Sequence, residues 1–343
     1  MELFSQTRQL SKADTNTGDD IVAMERHLLS LNNAAATSAV LDAAIDLAMV
    51  DKFRDGPRSA EQIAAAAGWS AEGTSRLLRV LCQLNLITHI DGRRYDMPQC
   101  VIELLSPTSA GSIAGHLKAV YSCRDSWRSL AETVQSGLRE NHLGTLAQRA
   151  EHAEFFMRGG QQLLDEARRV ASLSEPCVDT AVVLYSSGGE WALAQAEAGN
   201  ARTIYAVDHP AFLARAKSFV EPHPVARHIE FVESASEVQS YPKCAQIVVV
   251  PPLLRFLGEA QASEVVAAAI SNLAPEGELF IVDILKYPGE SPVVVPMLDL
   301  SLLVNTSAGG IRALDYYQQL IEVGNGRLTE VHRVGMLTTL RAR

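Results

Sequence analysis

The residues best suited to chemistry in this 343-residue chain lie between positions 178 and 210. There a glycine pair, Gly188-Gly189, follows one β-branched apolar run, and an acid, Asp208, closes the next. Glycines at a strand end let a ligand reach the backbone with no Cβ in the way, and an acid after the following strand can accept from a ribose hydroxyl. The patterning predicts a buried strand over 180–184, an Ala-rich helix over 191–198 and a parallel strand over 203–207. Together these form the opening β-α-β unit of a doubly wound sheet, which takes nucleotide-like ligands at the carboxyl ends of its strands. A bare strand-to-helix turn also calls for glycine, and an Asp at a strand end also serves as a helix cap.

Other chemistries find less support. The histidines show no metal-ligand spacing, with no H-x-x-x-H and no His/Cys cluster, so no metal is expected. Cys82, Cys100, Cys123, Cys177 and Cys244 are scattered without a C-x-x-C, a pattern that predicts reduced core thiols rather than a disulfide framework. A net charge of −10 argues against a nucleic-acid partner, which requires clustered Lys and Arg. With 47% hydrophobic residues the chain can bury a large core. No uninterrupted apolar run reaches the roughly eighteen residues of a membrane span, and residues 1–20 are polar without a signal-peptide core, so a cytoplasmic, membrane-free protein is expected.

The elements around this unit divide into two kinds. Residues 1–20 read as a loose arm, and apolar residues recur at helical spacing over 21–31 and again over 37–50. Asp55-Gly56-Pro57 interrupts the pattern. Ser59, with Gln62 three residues on, caps a short helix that Gly68 ends, and Ser70 opens another that carries Leu77, Leu78, Leu81 and Leu84. Residues 86–90, Asp91-Gly92 and 93–96 form a hairpin. Three helices and a hairpin make a winged helix. Arg76, Arg79, Arg93 and Arg94 could touch phosphates, but Asp42, Asp46, Asp51, Asp55, Glu61 and Glu72 surround them, which favours a dimerising role over DNA binding.

The segments 37–47 (TSAVLDAAIDL), 56–64 (GPRSAEQIA) and 76–81 (RLLRVL) resemble the N-terminal dimerisation domain of small-molecule O-methyltransferases of the acetylserotonin, hydroxyneurosporene and plant phenolic type. The resemblance runs on through Trp127-Arg128-Ser129-Leu130, Phe155-Phe156-Met157, Val207-Asp208-His209-Pro210, and the segments from Asp299 to Gly310 and from Tyr317 to Leu320. It implies an S-adenosylmethionine-binding class I methyltransferase sheet behind a winged-helix domain that swaps into a second copy of the chain. The organisation expected is an arm over 1–20, a dimerisation domain over 21–107, connecting helices over 108–175 and a Rossmann-like domain over 176–343. Further strands are expected over 229–232, 245–250 and 278–283, an antiparallel pair over 327–334 and 336–341, and a helix over 293–306.

Measured against that family the site residues depart together. Tyr185 stands where the turn's acid belongs, Ser187 and Gly189 at the first two glycine positions, and Trp191 at the third, where its indole should collide with cofactor or helix. Gly188, Gly189 and Asp208 remain as cofactor contacts, with Glu233 a substitute for the acid after the third strand. The plant-type general base, a His, falls at Leu254 or Arg255, and its orienting Glu at Arg312. Arginine stays protonated at any useful pH, so Arg255 cannot be the base. Either the two arginines pair with Glu259 or Asp315 at the surface, or both face the acceptor pocket and clamp an anion as guanidinium forks do. Segments that line the family's acceptor pocket supply His116, Tyr121, Arg124 and Trp127, then Phe156 and Met157, then Met297, Asp299 and Asn305, and Trp191 is placed with them in the substrate pocket; a Met or aromatic at helical spacing is equally what a plain core needs.

Cofactor acid, glycines, base and orienting Glu have all changed while the dimerisation segments stay recognisable. The expectation is a homodimeric, methyltransferase-like protein acting on a small metabolite. Its S-adenosylmethionine site and base are degraded, so that binding, cyclisation, rearrangement or decarboxylation replaces methyl transfer. An O-methyltransferase with a divergent loop, or a winged-helix regulator, are the other readings.

Overall fold

Ser59 Oγ accepts from the Gln62 amide while Gln62 Oε1 accepts from the Ser59 amide at 2.8 Å, and this reciprocal box starts the helix the sequence led us to expect. The computed structural model describes residues 18–109, 111–139, 143, 145–156, 161–174, 177–236, 241–289 and 292–343. Most of the expected arm therefore lies outside the described residues. The chain divides into two units, the first ending at Met97 and the second starting at Pro98.

The first unit begins with α1 (Gly18–Asp46) and α2 (Met49–Lys52), followed by β1 (Arg58–Ser59), α3 (Ala60–Ala67), α4 (Ala71–Gln83), β2 (Thr88–His89) and β3 (Arg94–Asp96). The two expected helices over 21–50 are mostly one. The intervening Asn-Asn-Ala-Ala-Ala holds no breaker, and alanine favours the helix enough to bridge it. The turn comes later, at left-handed Ala48. Ser70 caps α4 as expected, and the hairpin closes on Asp91, whose Oδ1 accepts from the Arg94 amide at 3.0 Å. β1 adds a third strand, giving the order β1-β3-β2.

Much of α1 is bare: Ile21, Val22, Leu28, Leu29 and Leu31 are exposed. By length and composition the helical segment from Asp20 to Asp46 is also apolar enough to cross a membrane, with a hydropathy of 1.2 over its best window. Ser, Asn and Thr are interspersed along it, so it holds no uninterrupted apolar run.

The second unit starts with α5 (Gln99–Leu105), α6 (Ala114–Ser122), a 3₁₀ turn (Cys123–Ser129), α7 (Leu130–Ser136), α8 (Leu146–Glu151), α9 (Ala153–Phe156) and α10 (Gln161–Ala171). Then come β4 (Val178–Leu184), α11 (Glu190–Glu197), β5 (Ala201–Asp208), α12 (Pro210–Val220), β6 (Ile229–Glu233), β7 (Ala245–Val250), α13 (Glu259–Ser271) and β8 (Leu273–Asp283). It closes with α14 (Val294–Asn305), α15 (Leu314–Val323), β9 (Leu328–Val334) and β10 (Leu337–Ala342). The sheet order is β6-β5-β4-β7-β8-β10-β9, parallel except for β10, which runs antiparallel to both its neighbours. This is the expected doubly wound sheet.

Its strands are apolar on both faces because each face is covered. Ala181, Val183, Ile204 and Phe280 face one core with α10 and α11, whereas Val182, Val248, Leu279 and Ile281 face the other with α13 and α15. The parallel strands bring Tyr185 to Gly189, Asp208, Glu233, Pro251 to Arg255 and Asp283 to one rim. The expectation of core thiols fails: Cys100, Cys177 and Cys244 are exposed, and all five cysteines are free.

Candidate functional site

The turn after β4 keeps a left-handed path without the glycines that make such a path cheap. Tyr185 has φ +52, Ser187 φ +50 and Gly189 φ +94. A non-glycine residue in this region costs about 1 kcal/mol or more, so surrounding structure must hold the path. Gly189 is needed for packing, since a Cβ there would lie 3.0 Å from Val220 Cγ2 and 3.2 Å from the Ala216 carbonyl on α12.

Neither aromatic expected to obstruct the turn stands free in a cleft. Tyr185 is buried with Val182, Val207 and Val250 on one face of the sheet. Trp191 is 2% exposed in the opposite core with Leu164, Ala192 and Ile204. The assignment of Trp191 to a substrate pocket is thus corrected: at the second position of α11 its ring belongs to the packed helix–sheet interface.

Asp208 holds the turn together. Its Oδ2 accepts from the Ser187 amide at 2.9 Å and its Oδ1 from the His209 amide at 2.7 Å. Burial pushes its carboxyl up to about 7, against the two amides and the charge of buried Arg149 on α8. It does not cap α12; that is done by His209, whose Nδ1 accepts from the Ala211 amide at 3.2 Å. Glu233, opposite Asp208 in the β5–β6 register, is exposed and lies 3.8 Å from Lys217.

At the other end of the rim Arg255 follows β7 and meets Asp283, the last residue of β8. Arg255 Nη1 donates to Asp283 Oδ1 at 2.7 Å and its amide to Oδ2 at 3.1 Å, with Asp283 fully buried and the Arg255 side chain 14% exposed. Arg312 Nη2 donates to the Ala308 carbonyl at 2.6 Å, and its guanidinium lies 5.5 Å from the Tyr316 ring centre. Arg255 thus pairs with buried Asp283 rather than with Glu259 or Asp315 at the surface, while Arg312 is held by a backbone carbonyl and a ring.

The loop around Gly309-Gly310 gathers the late residues. The Gly310 amide donates to the Arg255 carbonyl at 2.8 Å, and Asp299 Oδ1 accepts from the Ile311 amide at 2.7 Å. A Cβ on Gly310 would stand 3.1 Å from Arg312 Nη1 and 3.5 Å from Asp299 Oδ1. Asp299 therefore fixes the loop. Asn305 is buried, its Nδ2 donating to the Ser301 carbonyl at 2.9 Å.

The remaining candidates sit on the connecting helices. His116 on α6 and Trp127 in the 3₁₀ turn are half-buried. Tyr121 carries exposed Arg124 over its ring at 4.3 Å. Met297 on α14 is 51% exposed, so it is not core. Phe156 ends α9; its side chain, and Met157 altogether, lie outside the described residues.

The structure adds two acids that the sequence reading passed over. Asp283 ends its strand just as Asp208 ends its own, a signal that was legible. Glu190 follows directly on Gly189, five residues beyond Tyr185. It is buried, which pushes its carboxyl up, and its side chain folds back so that a Cβ on Gly188 would meet both oxygens at 2.7 Å. The glycine turn, a held acid at Asp208 and an orphaned buried carboxylate oxygen on Glu190 fit an adenosyl group that carries an ammonium.

Residues 29–99 match the model of the O-methyltransferase dimerisation domain. Acetylserotonin O-methyltransferase of Rattus norvegicus is 24% identical over 322 residues, covering 88% of this chain and 73% of that protein. Among solved structures, mitomycin 7-O-methyltransferase superposes with a TM-score of 0.79 at 19% identity, over 95% of this chain and 99% of that one. Human N-acetylserotonin methyltransferase in complex with SAM superposes with a TM-score of 0.76 at 20% identity, over 97% and 99%. At these identities the solved structures carry the fold alone. Residues 29–99 thus form an O-methyltransferase dimerisation domain, and the chain as a whole has the class I methyltransferase fold of these O-methyltransferases.

Proposed function

We propose that this protein is a homodimeric, cytoplasmic member of small-metabolite tailoring that has given up base-assisted methylation of a hydroxyl. The observation that carries the reading is the Arg255–Asp283 ion pair. A general base must accept a proton near neutral pH, and of the two positions that match the family's base Leu254 has no ionisable group and Arg255 is a permanent cation tied to a buried carboxylate. When bound, S-adenosylmethionine supplies an electrophilic methyl group; Gly188, Asp208 and Glu190 are the residues that would hold it. On the acceptor side, Arg255, Asp299 and the Gly309-Gly310 loop brace one another and orient a guest. Such fixed surroundings promote unimolecular change by holding a reactive conformation and excluding water. A cyclisation, rearrangement or decarboxylation asks for no more.

A second reading, methylation by positioning alone, is favoured by the turn's retained left-handed path at Tyr185 and Ser187. Metabolite profiles of the native producer with and without an intact chain separate the two. Loss of an isomeric or decarboxylated product supports the proposal, whereas loss of a product heavier than its precursor by one methylene overturns it.

A further inference from the structure

Glu190 opens α11 with a buried carboxylate that the fold leaves half satisfied. Both of its oxygens lie against the Cβ-less face of Gly188, the face that a glycine turn offers to a ligand. Among the described residues Oε2 has no hydrogen-bond partner, and neither has Ser186 Oγ, which is equally buried in the same turn. The cation that acts on Glu190 is Arg215, but Arg215 directs Nη2 to the Ser112 carbonyl at 2.8 Å and Nη1 to Glu154 at 3.3 Å. A buried carboxylate oxygen left unpaired costs on the order of 1–3 kcal/mol, so a donor belongs there. A carboxylate folded over a glycine, with an unpartnered hydroxyl in the same turn, suits a group with several N–H donors and a positive charge.

We infer that Glu190, with Ser186, anchors the primary ammonium at the amino-acid end of an S-adenosyl ligand, taking the place of the acid that Tyr185 has displaced. The carboxylate has moved along the turn, from the end of β4 to the start of α11. There it still faces the same glycine, and the helix amino terminus offsets part of the cost of its charge. Tyr185, freed from ligand contact, joins the core. The inference rests on the family fold and is independent of whether a methyl group leaves the ligand.

Calorimetry on the full-length protein tests it with two probes, S-adenosylhomocysteine and 5′-deoxy-5′-methylthioadenosine, which share the thioadenosine portion but differ in the amino-acid end. The unaltered chain should bind S-adenosylhomocysteine at least about tenfold more tightly, the lower end of what a charge-assisted hydrogen bond supplies. Glu190→Gln should narrow the preference to within about threefold and leave methylthioadenosine binding unchanged. Ser186→Ala carries the same test if Glu190→Gln fails to fold by circular dichroism, with a loss of about threefold for S-adenosylhomocysteine alone. Equal binding of the probes by the unaltered chain, binding of neither, or a preference that the variant that folds leaves undiminished overturns the inference. The loss of methyl transfer is read separately, from product masses, so each idea can fail without the other.

Discussion

Asp283 holds Arg255 twice, accepting from its guanidinium at 2.7 Å and from its amide at 3.1 Å. One buried carboxylate thus fixes both the side chain and the backbone of Arg255. Since the Arg255 carbonyl also accepts from Gly310, the β7 and β8 ends and the late glycine loop form a single braced unit.

Asp283→Ala should destabilise the protein by about 3–5 kcal/mol, because it leaves a largely buried guanidinium uncompensated. Replacing both partners, with Arg255→Met and Asp283→Leu, should cost less than Asp283→Ala alone, since the desolvation penalty goes with the charges. Urea unfolding of both variants checks this; a double variant as unstable as the single would show that the pair itself is indispensable.

Trp191→Gly should not open a cofactor site. A ring buried among Leu164, Ala192 and Ile204 leaves a cavity when removed, at a cost of about 3–5 kcal/mol, with a further cost for glycine in a helix. Thermal unfolding should show a large drop in melting temperature, with no gain in S-adenosylhomocysteine binding by calorimetry.

Asp208 makes stability depend on pH in a stated direction. Its folded carboxyl sits near 7 against an ordinary 3.8, so the stability tied to it is fully present below about pH 4. Between these values the unfolded chain has lost its proton while the folded chain keeps it, so stability falls as pH rises and levels off above about 7. Glu190 is shifted the same way, so the quantity to measure is the difference between the unaltered protein and Asp208→Asn. Unfolding free energies from pH 4 to 8 should fall more steeply for the unaltered chain, by on the order of a few kcal/mol in all.

The bare face of α1 predicts its partner. Light scattering at micromolar concentration should give about twice the 37.1 kDa chain mass. Leu28→Glu with Leu29→Glu, both exposed, should shift the protein to monomers without changing its helical content. A chain that is already monomeric would remove the dimer from the proposal.

Local patterning was enough for most of the architecture. Ser59 with Gln62, Ser70, Asp91-Gly92 and the β-branched strands each encode their own geometry over a few residues, so caps, hairpin and parallel sheet were legible along the chain. Gly188 and Asp208 were legible too, as a glycine and an acid at strand ends. Side-chain direction was not. Whether Trp191 blocks a cleft or fills a core, and whether Arg255 meets an anion or Asp283, depends on residues distant in sequence, such as Leu164 and Asp283, which only packing brings together. Glu190 shows the limit: its place in the sequence marks it as a helix-start acid, and only the fold bends it over Gly188 and buries it with an oxygen unpaired.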